Sequence, residues 1–305
     1  MKQYKAYLFD LYGTLVDIHT DESKPAFWKQ VAAYYTAKGA SYDWQTLRAA
    51  YRALCASETS QLQAMTPDAK IEIDLLPVFR ALYEEKGLSP DPALLADTAR
   101  FFRRRSTTHL RAYAGAGELL EALRAAGRTV ILLSNAQSCF TRPELDALGL
   151  TSRFDHIYIS SEVGFQKPDP RFFTAPLRDL SLDPAACLMI GNDPLCDVAG
   201  AAAAGMDAAY IRSALSPKES PLSSVGAVIG RPPEGTDPTV APAICRPTIS
   251  PVGAAISRPQ SASDSPVAPS PVGAVIGRPQ SASASPVLTL PRMDLRRLRA
   301  ILGCS

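Results

Sequence analysis

The chain has 305 residues and lacks the features that mark several classes of protein. It contains no apolar run near the roughly 20 residues that a membrane-spanning helix needs. Its N-terminus has no apolar stretch with a small-residue cleavage site, as a signal peptide would have. The formal net charge is only +2, which gives no reason to expect nucleic acid or a membrane surface as a partner. These absences predict a cytoplasmic protein with neither kind of partner.

Cysteine and histidine are scarce and scattered. The six cysteines never form a CxxC pair, and the three histidines lie far apart, without metal-ligand spacing. A disulfide framework or a structural zinc site is therefore not expected. Free thiols in a reducing compartment are the simpler interpretation.

Aromatic residues are absent after Tyr210, whereas 15 of the 26 prolines lie after Ser213. A segment of this composition cannot bury enough apolar surface to offset the entropy lost on ordering. It contains two stretches, Ser250–Val267 and Ser270–Val287, that agree at 15 of 18 positions, but the proline content and the uneven spacing of the copies disfavour a solenoid. We predict that residues 214–305 are a disordered tail whose removal leaves the stability of the rest nearly unchanged.

Residues 1–213 alternate between strand-like and helix-like segments. The strand-like segments are short apolar runs at Tyr4–Phe9, Arg128–Ser134, His156–Ser160, Cys187–Ile190 and Ala208–Ile211. Helical patterns separate the later strands, and the long interval from about His19 to Leu110 is largely helical. The alternation predicts an α/β fold with a parallel sheet and helices on both faces. Within the interval, the basic run Phe101–Arg105 is interpreted as the solvated face of a helix.

Polar residues follow the first four strands. They are DLYGTLVD at 10–17, Ser134 with Asn135, Lys167 within GFQKPDP, and GNDPLCD at 191–197. One such residue would be explained by a turn or a helix cap. The carboxyl ends of parallel strands meet at one edge of a sheet, where ligands bind. Four polar segments at that edge therefore indicate a functional site.

In this order and spacing, the four segments resemble the motifs of the haloacid dehalogenase superfamily of aspartate-nucleophile hydrolases. The resemblance covers about residues 4–212. It implies a Rossmann-like core formed by residues 1–18 and 111–213, with a helical cap inserted at 19–110. The residues from 214 onward match nothing in the family.

The resemblance assigns roles to individual residues. Asp10 would be the nucleophile that forms a covalent ester with the substrate. Ser134 and Asn135 would hydrogen-bond the transferring group, and Lys167 would offset the negative charge between Asp10 and an anionic substrate. A Mg²⁺ ion would be held by oxygen ligands or their neighbours from Asp10, the Tyr12 backbone, Asn192, Asp193 and Asp197.

Tyr12 departs from the phosphatases that the chain resembles, which carry a second aspartate two residues after the nucleophile as general acid. A phenol, with a reference pKa of about 10, is a poor proton donor near neutrality. Tyrosine at this place resembles the 2-haloacid dehalogenases, which displace halide and use no metal. The acidic pair Asp193 and Asp197 points to a metal instead, because two buried carboxylates near Asp10 would be costly without a cation.

The sequence therefore leaves three functions open. The leading hypothesis is Mg²⁺-dependent hydrolysis of a small, anionic phosphate ester through an aspartyl phosphate. The first alternative is a metal-independent 2-haloacid dehalogenase. The second is a non-catalytic member that binds a partner through its cap or tail.

Both enzymatic hypotheses make one prediction about the nucleophile. Asp10→Asn should abolish turnover and preserve the fold, because the amide is nearly isosteric with the carboxylate but does not attack the substrate. After a single turnover in ¹⁸O water, mass spectrometry should find label in the Asp10 carboxylate of the wild-type protein. Label confined to the released product would contradict a covalent intermediate.

Overall fold

In a computed structural model of the chain, the structure describes residues 2–217, 287–290 and 295–303. The strands are β1 (Ala6–Phe9), β2 (Val16–Thr20), β3 (Thr107–Ala112), β4 (Thr129–Ser134), β5 (His156–Ile159), β6 (Cys187–Gly191), β7 (Asp207–Ile211) and β8 (Val287–Leu290). The α-helices are α1 (Pro25–Ala37), α2 (Trp44–Met65), α3 (Leu75–Glu84), α4 (Pro92–Ser106), α5 (Ala116–Ala125), α6 (Ser138–Ala147), α7 (Ser160–Val163), α8 (Pro170–Asp179), α9 (Gly200–Ala203) and α10 (Leu295–Ile301).

The main sheet is parallel and has the strand order β5-β4-β1-β6-β7-β8. Side chains of β1 alternate between its two faces: Tyr7 and Phe9 pack with residues of α5 and α6, whereas Ala6 and Leu8 pack with residues of α8 and α9. Both faces are thus covered, which explains the nearly continuous apolar runs. The predicted α/β fold and its five strands are confirmed.

Helices α1–α4 form a unit, the helical insert (residues 25–106), between β2 and β3. Its core is aromatic and includes the buried side chains of Trp28, Tyr35, Phe79, Tyr83 and Phe102. The insert joins the main sheet through the antiparallel pair of β2 and β3. The sequence analysis missed this pair, because a half-exposed two-stranded ribbon carries no apolar run to mark it.

A second link ties the helical insert to the loop that carries Lys167. Ile71 and Phe165 form an isolated antiparallel bridge, and the Lys70 N–H donates to Asp169 Oδ2 at 2.8 Å. Beside them, Glu72 accepts hydrogen bonds from residues of the core. The insert is therefore held at a fixed position over the carboxyl edge of the sheet.

The prediction of a disordered tail over all of residues 214–305 is wrong for two short segments. Strand β8 pairs in parallel with β7, and α10 packs against α5 with Leu295 and Leu298 buried in the core. Both segments differ in composition from the proline-rich repeats: one is VLTL, and the other places leucines three residues apart on one helical face. Residues 218–286, which contain most of the repeats, lie outside the described part of the chain.

The cysteines follow the expectation only in part. Cys55, Cys139 and Cys187 are free, but Cys196 is disulfide-bonded. Spacing along the sequence does not reveal which cysteines the fold brings together, so this bond was not predicted. Within the described residues, no helix is both long and apolar enough to cross a membrane.

The packing of α10 can be tested by truncating one side chain. Leu298→Ala should lower the free energy of unfolding by about 2–5 kcal/mol, because Leu298 is fully buried. Met65→Ala is a suitable control, since Met65 is 71% exposed and lies in no core cluster. Equal melting temperatures for the two variants would show that α10 does not contribute to the core.

Candidate active site

Asp10 follows β1 at the point where the strand order reverses. The chain passes from β1 to β4 and β5 on one side and returns to β6 on the other. Clefts for ligands form at such reversal points. Behind Asp10, Gly13 adopts a left-handed conformation (φ 86°), and a Cβ at this position would collide with the Asn192 amide. Glycine is therefore required for the turn that brings the ends of β1 and β6 together.

Lys167 lies at the centre of the site. Its ammonium Nζ is 2.9 Å from Asp10 Oδ1 and 2.7 Å from Asp197 Oδ1, and the residue is only 1% exposed. The Asn135 amide holds the Lys167 backbone on both sides: Oδ1 accepts from Lys167 N at 2.7 Å, and Nδ2 donates to Lys167 O at 3.0 Å. The Asn135 side chain thus positions Lys167, and its contact with the transferring group stays a prediction.

The charges of this buried group do not balance. Burial would lower the pKa of Lys167, but the carboxylates of Asp10 and Asp197 outweigh it and raise that pKa. Burial raises the pKa of Asp197 to about 7, against the opposing effect of Lys167. One ammonium thus faces two carboxylates, and the site retains a negative charge when both are ionised. Asp197, one of the two carboxylates that the sequence argument paired with a metal, has Lys167 as its cation.

Asp193 and Asp197 are placed differently from the expected pair of metal ligands. Asp193 Oδ1 accepts from the N–H groups of Leu195 and Cys196, both at 2.8 Å, and so caps the π-helical turn Pro194–Ala199. Asp197 uses Oδ1 for Lys167 and accepts from the Asp193 N–H with Oδ2 at 2.9 Å. In the described part of the chain, no cluster of three or more His, Cys, Asp or Glu side chains could hold a metal ion.

Asn192 occupies the place next to Asp10 that was expected for a metal ligand. In one orientation, its amide nitrogen donates to Asp10 Oδ2 and to the Tyr12 backbone oxygen, both at 3.2 Å. In the other orientation, the amide oxygen faces these two acceptors, and three oxygens converge. The Thr14 hydroxyl donates to Asp10 Oδ2 at 3.2 Å from the other side.

Ser134 is fully buried at the end of β4, and its hydroxyl has no hydrogen-bond partner among the described residues. An unsatisfied buried hydroxyl costs roughly 1–3 kcal/mol. The cost is recovered if a bound group accepts its hydrogen bond. Ser134 is not among the residues that line the cavity over Asp10, so its role toward the transferring group stays a prediction.

Tyr12 is directed away from the nucleophile. Its hydroxyl donates to Glu144 and lies 3.0 Å from the Thr141 hydroxyl. Burial, and then the negative charge of Glu144, raise the pKa of Tyr12 well above its ordinary value. Arg103 binds the same carboxylate (Nε to Glu144 Oε1, 2.6 Å) and lies over the Tyr12 ring. The Tyr12 hydroxyl therefore remains protonated and hydrogen-bonded to Glu144 at physiological pH.

Glu144 and Arg103 were not identified from the sequence. Arg103 belongs to the run Phe101–Arg105, whose interpretation as a solvated face is wrong at this position: the Arg103 side chain is only 16% exposed. Arg103 follows the buried Phe102 on α4, and Glu144 precedes the buried Leu145 on α6. The only sequence feature that indicates burial of these two charged residues is that each lies next to a core position, and this indication is weak.

A cavity of about 330 Å³ lies over Asp10 between the sheet and the helical insert. Its walls are partly apolar, with Ile18, Leu75 and Phe140 among them. Asp10, Lys167, Asn192 and Asp193 lie at its floor on the sheet side. A cavity of this size and composition accommodates a small molecule.

A family model described as haloacid dehalogenase-like hydrolase matches residues 4–205. The phosphoserine phosphatase of Thermus thermophilus is 36% identical over 146 residues, which are 48% of this chain and 57% of that protein. The (S)-2-haloacid dehalogenase 1 of Pseudomonas sp. strain CBS-3 is 27% identical over 226 residues, which are 72% of this chain and 89% of that protein. The solved structure of a phosphatase from Thermococcus onnurineus has a TM-score of 0.46 at 21% identity and covers 70% of this chain and 88% of its own.

The matches to the first curated phosphatases span about half of their length or less, namely 57%, 49% and 38%. Phosphatases and dehalogenases both occur among the relatives, so similarity alone does not separate these two reactions. The family model, by contrast, spans well over half of the chain and all four predicted motifs. The chain therefore belongs to the haloacid dehalogenase-like hydrolases.

Proposed function

We propose that the protein hydrolyses a small phosphate ester with a Mg²⁺ ion and Asp10 as nucleophile, and that its substrates have leaving groups that depart without a proton. The observation that carries the proposal is the charge of the buried site: the carboxylates of Asp10 and Asp197 face the single ammonium of Lys167. The Tyr12 backbone oxygen and the Asn192 amide lie beside Asp10 Oδ2. The net negative charge of this site attracts a cation.

The donors fit Mg²⁺ by their chemistry. This ion prefers oxygen ligands, commonly takes only one or two carboxylates, and completes its octahedron with water and substrate phosphate. Asp10 supplies the carboxylate, and Tyr12 O and Asn192 Oδ1 are neutral oxygens. The sequence also predicted Asp193 and Asp197 as ligands or neighbours of the metal. They would not coordinate it directly, because Asp193 caps a helical turn and Asp197 binds Lys167.

The charge of the site also favours a dication. Two carboxylates face Lys167, so a bound phosphate would add its charge to a site that is already negative. Arg103 does not compensate, because Glu144 neutralises it. A bound Mg²⁺ would supply the missing charge and polarise the phosphoryl group.

In the reaction proposed, the Asp10 carboxylate attacks phosphorus, and the bond from phosphorus to the leaving oxygen breaks. Lys167 and the Ser134 hydroxyl stabilise negative charge on the transferring group. Water then hydrolyses the aspartyl phosphate, which releases phosphate and restores the carboxylate. No described side chain at the position of Tyr12 protonates the leaving oxygen, so acyl and aryl phosphates are the expected substrates.

The helical insert would act as the cap of this site. Its residues form one wall of the cavity, and the link at Ile71 and Phe165 holds it over the sheet edge. We retain the proposed division into a core of residues 1–18 and 111–213 and a cap of residues 19–110. A cap of this kind excludes water and selects substrates by size.

A second function is favoured by the other orientation of Asn192. When its nitrogen donates to Asp10 Oδ2 and Tyr12 O, the amide satisfies both oxygens without a metal. Together with Tyr12, this arrangement fits displacement of halide from a 2-haloacid, since halide needs no proton to leave. The orientation of one amide therefore distinguishes the two reactions.

The choice between them can be tested with Asn192→Asp. If Mg²⁺ binds here, the added carboxylate should lower the Mg²⁺ concentration needed for half-maximal hydrolysis of acetyl phosphate. EDTA should abolish the activity of both proteins, and added Mg²⁺ should restore it. In a dehalogenase the same substitution removes a hydrogen-bond donor from Asp10 and impairs turnover. Release of chloride from 2-chloropropionate in EDTA, without any phosphatase activity, would overturn the proposal.

The role given to Tyr12 has its own test. Tyr12→Phe should leave kcat for an alkyl phosphate, whose leaving oxygen needs a proton, within about threefold of wild type, because this hydroxyl does not protonate the leaving group. Loss of a general acid would reduce kcat by about 10²–10⁴. A decrease of that size, accompanied by loss of the alkaline limb of the pH profile, would identify Tyr12 as the proton donor.

A further inference from the structure

The wall that the helical insert and its entry segment contribute to the cavity carries polar groups that the proposed mechanism does not use. Glu22 lies between β2 and α1, Tyr51 lies on α2, and Arg103 lies on α4. All three line the cavity above Asp10. They are also close to one another, since Glu22 interacts electrostatically with both Arg103 and Tyr51.

The Tyr51 hydroxyl has no hydrogen-bond partner of normal geometry among the described residues, although Tyr51 is only 3% exposed. Its ring is fixed by aromatic packing against Trp28 and Phe102, with centroids at 5.3 and 5.5 Å. The Cys55 thiol interacts with the hydroxyl, but sulfur is a weak partner. A rigid ring thus presents an unsatisfied hydroxyl in a cavity.

Glu22 and Arg103 also have unused hydrogen-bonding capacity. Within the described residues, the Glu22 carboxyl makes no hydrogen bond; only its backbone oxygen accepts, from Trp28 Nε1 at 2.8 Å. Burial raises the pKa of Glu22 to about 7, against the effect of Arg103. Arg103 binds Glu144 through Nε and Nη2 and leaves Nη1 without a partner in the described structure.

Buried polar groups without partners are rare, and each costs roughly 1–3 kcal/mol. The Tyr51 hydroxyl is such a group, and the Glu22 carboxyl and Arg103 Nη1 line the same cavity with hydrogen-bonding capacity unused. Together they indicate that a ligand completes these hydrogen bonds. An apolar ligand would leave all three unsatisfied. The distal part of the substrate must therefore be polar.

The charges indicate which polar group fits. Glu144 neutralises Arg103, so an additional carboxylate would meet Glu22 and Glu144 without a free cation. An ammonium group would meet the Arg103 guanidinium as well as Glu22, and burial raises the pKa of Glu22 to about 7, so that this acid is only partly ionised near neutrality. A neutral hydroxyl avoids both conflicts, because it donates to Glu22 and accepts from Arg103 Nη1 or from Tyr51.

We propose that Glu22, Tyr51 and Arg103 form a distal subsite that binds a neutral, hydroxyl-bearing group of the substrate. This inference rests on the proposed function and names its substrate class: short phosphorylated molecules with one or two hydroxyls at the end remote from phosphorus. A 2-haloacid with an alkyl chain does not satisfy this subsite.

Four phosphonates with the same head and similar chains test the proposal, with binding to the full chain measured by calorimetry in Mg²⁺. They are propylphosphonate, 2,3-dihydroxypropylphosphonate, 2-carboxyethylphosphonate and 3-aminopropylphosphonate. The dihydroxy compound should bind at least tenfold more tightly than propylphosphonate. Equal affinities would overturn the proposal. Tightest binding of the carboxylate or of the amine would overturn the choice of a neutral group.

Tyr51→Phe and Glu22→Met should each reduce the preference for the dihydroxy compound to less than threefold. Neither should lower the melting temperature appreciably, because the Tyr51 hydroxyl has only the Cys55 thiol, a weak partner, and the Glu22 carboxyl makes no hydrogen bond in the described structure. Tyr83→Phe is the matched control: the Tyr83 hydroxyl is paired with Thr98 outside the cavity, so the preference should persist. A preference that survives in Tyr51→Phe and Glu22→Met would also contradict the subsite.

The proposed phosphatase function can be tested separately from the distal subsite. Acetyl phosphate has no hydroxyl-bearing distal group, so its Mg²⁺-dependent hydrolysis tests the proposed function without the subsite, and the control Tyr83→Phe should hydrolyse it as fast as wild type. Absence of that hydrolysis would overturn the phosphatase proposal, whereas the phosphonate ranking is measured without turnover. Normal hydrolysis with no ranking among the phosphonates would overturn the subsite alone.

Discussion

The site depends on one buried ammonium shared by two carboxylates. Lys167 can remain charged at 1% exposure only because Asp10 and Asp197 face it. Its position is in turn fixed by Asn135, which hydrogen-bonds the backbone on both sides of the residue. Gly191 is required as well, because a Cβ there would collide with the Asp197 carboxylate. Residues from four strand ends thus form a single electrostatic unit.

The net charge of this unit explains why the orientation of the Asn192 amide matters for the proposed chemistry. With one cation against two anions, the site accepts another positive charge more readily than another negative one. Asn192 stands where that charge would bind, and it can offer either a nitrogen or an oxygen to Asp10. Under the proposed function, the two candidate reactions would therefore differ by a local choice of donor or acceptor at Asn192, without a rearrangement of the core.

The helical insert is joined to the core by polar contacts as well as by its two chain connections. Glu144 on α6 binds both Tyr12 beside the nucleophile and Arg103 on α4. A side chain that replaces a general acid in the first motif thus serves as part of the contact between insert and sheet. Tyrosine in place of an aspartate at position 12 would thus remove a proton donor for the leaving group, and it also forms part of the cavity wall.

The sequence by itself determined the parallel sheet, the helical interval and the residues that meet at the strand ends. Apolar runs and strand-end residues are local signals, and parallel strands bring their carboxyl ends to one edge. Only the tertiary structure decided that Lys167 is the cation between Asp10 and Asp197, that Arg103 is buried, and that α10 packs on the core. These facts depend on contacts between residues far apart in sequence, where charge and burial are set by neighbours that no local pattern specifies.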